Sequence, residues 1–442
     1  MIVPNQFLLL KQRKFLPLFI TQFLGAFTDN LYKNALVVLI IYHLATSLGY
    51  DEKTQQLLAT LAAGIFLLPF FFFSAMGGQL ADKFPKEIIM QKVKLFEIAI
   101  AVMGAMSLCL EWLPLCYLTL FALGTHSAIF APSKYSILPQ HLNQNELIGG
   151  NAILNTGTFL AILCGTIVGT VTMSAQMGIY IVSIIMLLSA VIGYISSLRI
   201  PHAPPKAAHL KFSYNIFKET WGVMKYTLST SRDIKLAILG KAWFFFIGSL
   251  FMAQFANFTK TNLGGNEHIL TLFLVLFSVG IALGGLCNNK LLKGNISAVF
   301  VPFAALGITV FSGDIYFASL LIIPPQPGLF IGIPEFLSQF QNWRILYDVF
   351  MVAFFGGIYV VPLSALIQDR TPTETRARMM AGSSITDSLF MVVSALISAV
   401  LITIGWNIPE LFLGAAIINL FVAFYLWTQK SSFVRQGARQ SQ

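Results

Sequence analysis

Thr28-Asp29-Asn30, followed by Lys33 and Asn34, places an acid, a base and three hydrogen-bonding side chains inside an otherwise apolar run, residues 15–44. A run of that length can cross a bilayer as a helix. Ionisable groups at bilayer depth are costly, so they face a bundle interior or a watery cavity and mark polar paths. Gln22, Ala26, Asp29 and Lys33 fall at i, i+4, i+7 and i+11, one stripe of a helix. Asp29 lies about 21 Å along the helix from Phe15, at roughly 1.5 Å per residue, near mid-membrane. Asp29 and Lys33 also stand in the favourable order for an i,i+4 ion pair. Two readings stay open. The pair holds the helix in place, or the stripe binds a zwitterion, with Asp29 on an ammonium, Lys33 on a phosphate and Gln22, Asn30 and Asn34 supplying hydrogen bonds.

Further polar groups recur in other apolar runs. Asn151 and Asn155 share one face of the fifth run, and Asp387 follows Thr386 in the eleventh. Cavity lining and helix–helix contact are both open for them. Lys134 and Lys241 are secondary candidates. Lys134 could bind phosphate, or pair with Glu97 or Asp82. Lys241, near the start of the seventh run, is expected to snorkel to the surface. His126 reads as a packing residue, and the run Pro69-Phe70-Phe71-Phe72-Phe73 as packing or lipid-facing rather than a substrate path. Asp314 and Asp348 fit either a solvated rim or an outer gate.

The composition sets the class. The chain of 442 residues is 56% hydrophobic and 10% charged, where a soluble domain carries roughly 25% charged residues. Apolar runs cover residues 15–44, 57–76, 88–110, 115–138, 147–173, 179–198, 236–258, 269–286, 296–323, 345–366, 379–404 and 409–427. The first is too long for a cleavable signal and lacks a small-residue cleavage site, so it is expected to remain as a helix. Twelve spans put most lysines and arginines on one side: Lys11, Arg13 and Lys14, then Lys83, Lys86, Lys92 and Lys94, the basic segment 199–235, and Arg370, Arg376, Arg378, Lys430, Arg435 and Arg439. Lys53, Lys260 and Arg344 fall opposite. Positive residues stay cytoplasmic, so both termini are expected there. The net charge of +10 is thereby spread over loops and forms no nucleic-acid patch.

Segment 199–235, opening with Pro201, Pro204 and Pro205, divides the chain. The expected organisation is a six-helix bundle over 1–198, a cytoplasmic basic linker over 199–235, a second six-helix bundle over 236–428 and a cytoplasmic tail over 429–442. The halves share a faint repeat: Ile148-Gly149-Gly150-Asn151 through Asn155 enters the fifth span, and Met380-Ala381-Gly382-Ser383 through Asp387 enters the eleventh. The expected fold class is all-α, with twelve transmembrane helices in two six-helix repeats, the major facilitator architecture; a twelve-helix fold without repeats is the alternative.

After the second span comes Gly77-Gly78-Gln79-Leu80-Ala81-Asp82-Lys83-Phe84-Pro85-Lys86. It resembles the loop motif of that superfamily. Gly78 allows close backbone packing, and Asp82 can meet the positive N-terminus of a neighbouring helix. The resemblance implies that this neighbour is the eleventh helix, entered by Arg376 and Arg378, and that Gly78, Asp82, Lys83, Lys86, Arg376 and Arg378 form a conformational latch. Pro85 replaces the usual glycine. The matching turn of the second half, Asn288-Asn289-Lys290, has no acid, so any latch there is expected to be weaker.

Three further segments narrow the family: Gln22-Phe23-Leu24-Gly25-Ala26-Phe27-Thr28-Asp29-Asn30, Ala131-Pro132-Ser133-Lys134-Tyr135, and Val360-Val361-Pro362 through Arg370. They resemble the lysophospholipid transporters, and the chain is most similar to the transporter half of proteins fused to an acyltransferase and an acyl-carrier-protein ligase. The resemblance implies movement of lysophosphatidylethanolamine and similar lipids from the outer to the inner leaflet of a bacterial inner membrane. It also implies a separate cytoplasmic acyltransferase or acyl-carrier-protein synthetase as partner. The alternative is a transporter of a small water-soluble compound such as a drug or siderophore; a transport-dead scaffold or receptor is a third reading.

An enzyme is not expected. Acyltransferase, nucleophile-elbow, zinc-protease and P-loop motifs are missing from the sequence. Cys109, Cys116, Cys164 and Cys287 form no metal pattern; Cys109 and Cys116 could bridge, but free buried thiols are expected. No cofactor or metal is implied.

Overall fold

The computed structural model describes residues 5–40, 52–173, 175–322 and 330–429. The end of the first apolar run (41–44), part of the long loop expected outside (323–329) and the tail with Lys430, Arg435 and Arg439 lie outside the described residues, as does the side chain of Lys53. The described residues are predominantly helical, with no named β-strand among them.

The first half comprises α1 (Leu16–Val38), α2 (Glu52–Lys83), α3 (Lys86–Cys109), α4 (Leu113–His141), α5 (Gln144–Met173) and α6 (Gly178–Ser197). A short α7 (Ile216–Ser229) follows. The second half comprises α8 (Arg232–Asn257), α9 (Glu267–Leu291), α10 (Val301–Ser319), the single-turn α11 (Ile333–Ser338), α12 (Phe340–Arg370), α13 (Arg376–Thr403) and α14 (Ile408–Thr428). Ten of these are long and apolar enough to cross a membrane. α1 and α3 reach 23 and 24 residues, but α1 carries Asp29 and Lys33, and α3 carries Lys86, Glu87, Lys92, Lys94 and Glu97.

Helix pairing repeats between the halves. α1 packs on α5 as α8 does on α13; α2 on α4 as α9 on α12; α3 on α6 as α10 on α14. The halves meet chiefly through α5–α9 and α2–α13. Small residues permit the tight crossings, since lipid supplies no hydrophobic drive between helices. A Cβ on Gly165 would stand 2.4 Å from the Phe27 carbonyl oxygen of α1, and one on Gly280 2.6 Å from that of Phe350. The second half is filled by aromatics: Phe251 stacks on Phe412 at 4.4 Å, and Phe255, Phe258, Phe273 and Phe277 close around them.

Three local expectations change. Segment 199–235 is not wholly linker: it contains α7, capped by the Asn215 side chain on Lys218 N, and α8 begins at Arg232 rather than 236. The tenth run, expected from residue 345, starts earlier: α12 begins at Phe340 and takes in Trp343 and Arg344. Trp343 Nε1 donates to Leu337 O, and Arg344 Nε donates to Asp314. All four cysteines are free, but Cys109 and Cys164 are exposed rather than buried.

Candidate substrate cavity

α1, α2, α3, α4 and α5 line a half-open cavity of about 200 Å³. Its polar lining includes Gln22, Asp29 and Asn30 of α1, Lys94 of α3, His126, Ser127 and Lys134 of α4, and Thr158 of α5; Phe66, Phe70 and Phe130 form an aromatic wall. The α1 stripe therefore faces the cavity as far as Asp29. It does not carry Lys33 there.

Asp29 and Lys33 form no ion pair. Ser127 Oγ donates to Asp29 Oδ2 at 2.5 Å, while Asp29 Oδ1 is buried without a hydrogen-bond partner. Lys33 instead turns to its own helix, donating to Asn30 Oδ1 at 3.0 Å, with its ammonium 5.9 Å from the Phe66 ring centre. The i,i+3 neighbour and an aromatic face displace the i,i+4 acid. Asn34 donates to Asn30 O and Thr166 Oγ1, tying α1 to α5. Gln22 is fixed by Thr158, which donates to its Oε1 at 2.9 Å.

Lys134 pairs with neither Glu97 nor Asp82. Among the described residues it has no ion-pair or hydrogen-bond partner, and its ammonium lies 4.6 Å from the Tyr135 ring centre. The acid it could have reached is already taken. Glu97 pairs with Lys94, and His126 Nε2 approaches it at 3.2 Å; all three side chains are almost wholly buried. Lys94, assigned from sequence to the basic loops, is thus a cavity residue. It sits about 12 Å inside α3, in a slot made by two glycines: a Cβ on Gly193 would stand 2.8 Å from Lys94 Cε, and one on Gly25 3.2 Å from its Nζ. The signal for it in the sequence is the acid three residues on, at helix-pair spacing.

A second buried polar group belongs to the other half. Lys241 Nζ donates to Asp387 Oδ2 at 2.7 Å and to Ser383 Oγ at 3.0 Å. It does not snorkel; a buried acid holds it inward, 5.7 Å from the Tyr135 ring centre across the half boundary. Tyr135 in turn donates to Asn155 Oδ1 at 3.3 Å. Asn151 is placed otherwise: it exchanges two 2.8 Å hydrogen bonds with Gln368 of α12. That pairing joins the halves and keeps Asn151 out of the cavity.

At the end carrying the basic loops, Asp82 accepts hydrogen bonds from Ala377 N at 3.0 Å, Arg378 N at 3.2 Å and Arg378 Nε at 3.2 Å. A Cβ on Gly78 would meet Arg378 Cα and Ala381 Cβ at 2.9 Å. Arg376 is buried and donates to Thr371 O; Lys86 is buried beside Asp82, and Lys83 turns to the Phe84 ring. Hydrogen bonds from Gln6 to Leu286 O, Gln144 to Asp369 and Thr156 to Ala282 O also cross the halves from this end to mid-helix. The basic end is closed.

A helical bundle with repeated pairing and a polar cavity in its first half fits a multi-pass membrane transporter, and residues 18–340 match the family model of the Major Facilitator Superfamily, to which the chain belongs. Among characterised relatives it is similar to the lysophospholipid transporter LplT of Escherichia fergusonii, 25% identical over 93% of this chain and 95% of the relative. The LplT of Photorhabdus laumondii is 24% identical over 79% and 78%. Solved structures share the fold: human organic anion transporter MFSD10 (TETRAN) at TM-score 0.74 and 12% identity, covering 96% of this chain and 99% of that one. A bacterial homologue of the iron transporter ferroportin in an outward-facing state gives TM-score 0.65 and 15% identity, covering 93% and 99%.

Proposed function

We propose that this chain moves lysophospholipids, with lysophosphatidylethanolamine as the type substrate, from the outer to the inner leaflet of a bacterial inner membrane. α1 and α3 complete twelve spans with both termini cytoplasmic, and the two six-helix halves work as rocking units. The observation that carries this reading is a pair of opposite charges on one cavity: the free Oδ1 of Asp29, and the ammonium of Lys134, which has the Tyr135 ring beside it but no ion-pair or hydrogen-bond partner among the described residues. An unmatched charge in a low-dielectric interior is expensive. A zwitterionic head group matches both, its ammonium on Asp29 and its phosphate on Lys134. The phosphate role moves from Lys33 to Lys134, because Lys33 does not line the cavity.

The size of the cavity agrees. About 200 Å³ holds roughly seven waters' worth of volume, enough for a polar head but not for a long acyl chain. The chain would remain in lipid or between helices, where apolar contact suffices. Asp82 and the α13 N-terminus act as the latch that closes the cytoplasmic end, and a separate acyltransferase or acyl-carrier-protein synthetase re-acylates the delivered lipid.

The test is uptake of labelled lysophosphatidylethanolamine into proteoliposomes or spheroplasts, beside soluble candidates of the drug and siderophore type. Saturable lysolipid uptake that the soluble compounds do not inhibit is expected. Saturable transport of a soluble compound with none of lysolipid would replace this reading by the alternative.

A further inference from the structure

The segment joining the halves is fastened along the basic end. Lys86 N donates to Ala203 O at 3.2 Å, Ala207 N to Asp82 O at 2.9 Å and Ser213 N to Gln79 Oε1 at 3.0 Å. The chain then enters α7, whose residues divide into three stripes.

One stripe is seated on both halves. Val223 is buried with Ala75 of α2 and with Ala381 and Ile385 of α13. Thr227, one turn on, lies so close to α13 that a Cβ on Gly382 would meet its Oγ1 at 2.0 Å. The second stripe is aromatic and open: Phe217 and Trp221, at i and i+4, are 74% and 75% exposed, and Tyr214, just before the helix, is 88% exposed. The third is basic, with Lys218 and Lys225 at seven-residue spacing; Lys211 precedes the helix, and all three are exposed.

Depth is set by a contact. The Phe217 ring meets Phe72 edge-on at 5.7 Å, and Phe72 lies in the apolar run 57–76 of α2, about 6 Å from the end of that run on the basic side. The open aromatic stripe therefore lies where α2 leaves the hydrocarbon, not out in water. A helix with Trp and Phe on one face and lysines beside it is the chemistry of an interfacial helix on anionic lipid.

We propose that α7 is an interfacial strap: its aromatic stripe is embedded at the boundary of the anionic leaflet, its lysines bind lipid phosphates, and its buried face, Val223 and Thr227, holds α2 against α13. The lipid surface, not a soluble protein, is the occupant, because aromatic depth and positive charge coincide on the same side. Each lysine near an anionic surface adds on the order of a fivefold gain in interfacial occupancy. This holds whatever the substrate is, provided α2 and α13 span the bilayer.

The experiment uses full-length protein in proteoliposomes of brominated phosphatidylcholine, with and without phosphatidylglycerol. The difference in tryptophan emission between the unaltered protein and Trp221→Phe isolates Trp221. Bromolipid should quench that component, and phosphatidylglycerol should deepen the quenching severalfold. A Lys211→Gln/Lys218→Gln/Lys225→Gln variant, altered at exposed positions only, should lose the phosphatidylglycerol effect while keeping its lysolipid uptake assay readable. Quenching of Trp221 by aqueous iodide instead of bromolipid would overturn the proposal and leave the face to a soluble partner. Bromolipid quenching that ignores phosphatidylglycerol, or is unchanged in the lysine variant, would overturn the anionic-lipid assignment.

Discussion

Asp82 closes the basic end by accepting the first free backbone N–H groups of α13, those of Ala377 and Arg378, at 3.0 and 3.2 Å. A helix N-terminus carries about half a positive charge and unpaired donors, so the carboxylate answers both at once. Gly78, one turn earlier on α2, brings the helices close enough for that reach.

Removing this acid should therefore shift the conformational balance rather than the binding site. Hydrogen bonds to a charged group contribute about 1.5–3 kcal/mol each, so Asp82→Ala, which removes three of them, should move the closed-to-open ratio by at least the worth of one, roughly 10- to 150-fold. Cysteine reporters at the basic end should label faster and those at the opposite end more slowly, with lysolipid affinity little changed. Equal labelling at both ends would show that Asp82 is only a structural cap.

Head-group discrimination separates Asp29 from Lys134. A charge contact in the cavity retains about 1–2 kcal/mol after desolvation, a roughly 5- to 30-fold effect on affinity. Lys134→Gln should weaken every phosphate-bearing lysolipid by that factor. Asp29→Asn should weaken lysophosphatidylethanolamine more than lysophosphatidylglycerol, which has no amine. Competition binding with the two lipids makes the comparison internal, because a folding defect lowers both alike. A uniform loss in Asp29→Asn would mean that Asp29 acts through Ser127 and not on the ammonium.

Lys33 is the control for that assignment. Its ammonium is satisfied by Asn30 and the Phe66 ring, outside the cavity. Lys33→Gln should change lysolipid affinity by no more than about twofold, the range of substitutions away from special features. A loss as large as that of Lys134→Gln would return the phosphate role to Lys33.

The helical class and the polar stripe of α1 were legible because they are local: apolar runs have lengths, and a stripe has a period. The reach of Asp82 toward α13 was legible through a motif that pairs a glycine with an acid at fixed spacing. What was not legible depends on partners distant in sequence. Lys94 read as a loop lysine because the slot that admits it is made by Gly25 of α1 and Gly193 of α6; its counterion Glu97, three residues on, was the one local signal. Lys241 read as snorkelling because Asp387 lies 146 residues away. Asn151 read as a cavity candidate because Gln368, its match, is 217 residues away. Helical spacing predicts which residues share a face; it does not say what that face meets.

The buried Lys94–Glu97–His126 group yields a stability prediction that a merely polar cavity wall would not. Removing one member of a buried pair leaves an uncompensated charge and costs about 3–5 kcal/mol, whereas replacing both by apolar groups of similar volume is often neutral. Glu97→Gln should therefore lower the thermal unfolding midpoint in detergent sharply, and Lys94→Met alone should do likewise. The double variant Lys94→Met/Glu97→Met should recover most of the loss, because neither charge is then left without its partner. Transport reports a different property. If Lys94 only fills the slot beside Gly25 and Gly193, the double variant keeps lysolipid uptake; if it also helps hold the head-group phosphate, uptake falls while stability recovers. A double variant no more stable than either single one would show that the pair is not coupled, and that Lys94 is held by its glycine slot instead of by Glu97.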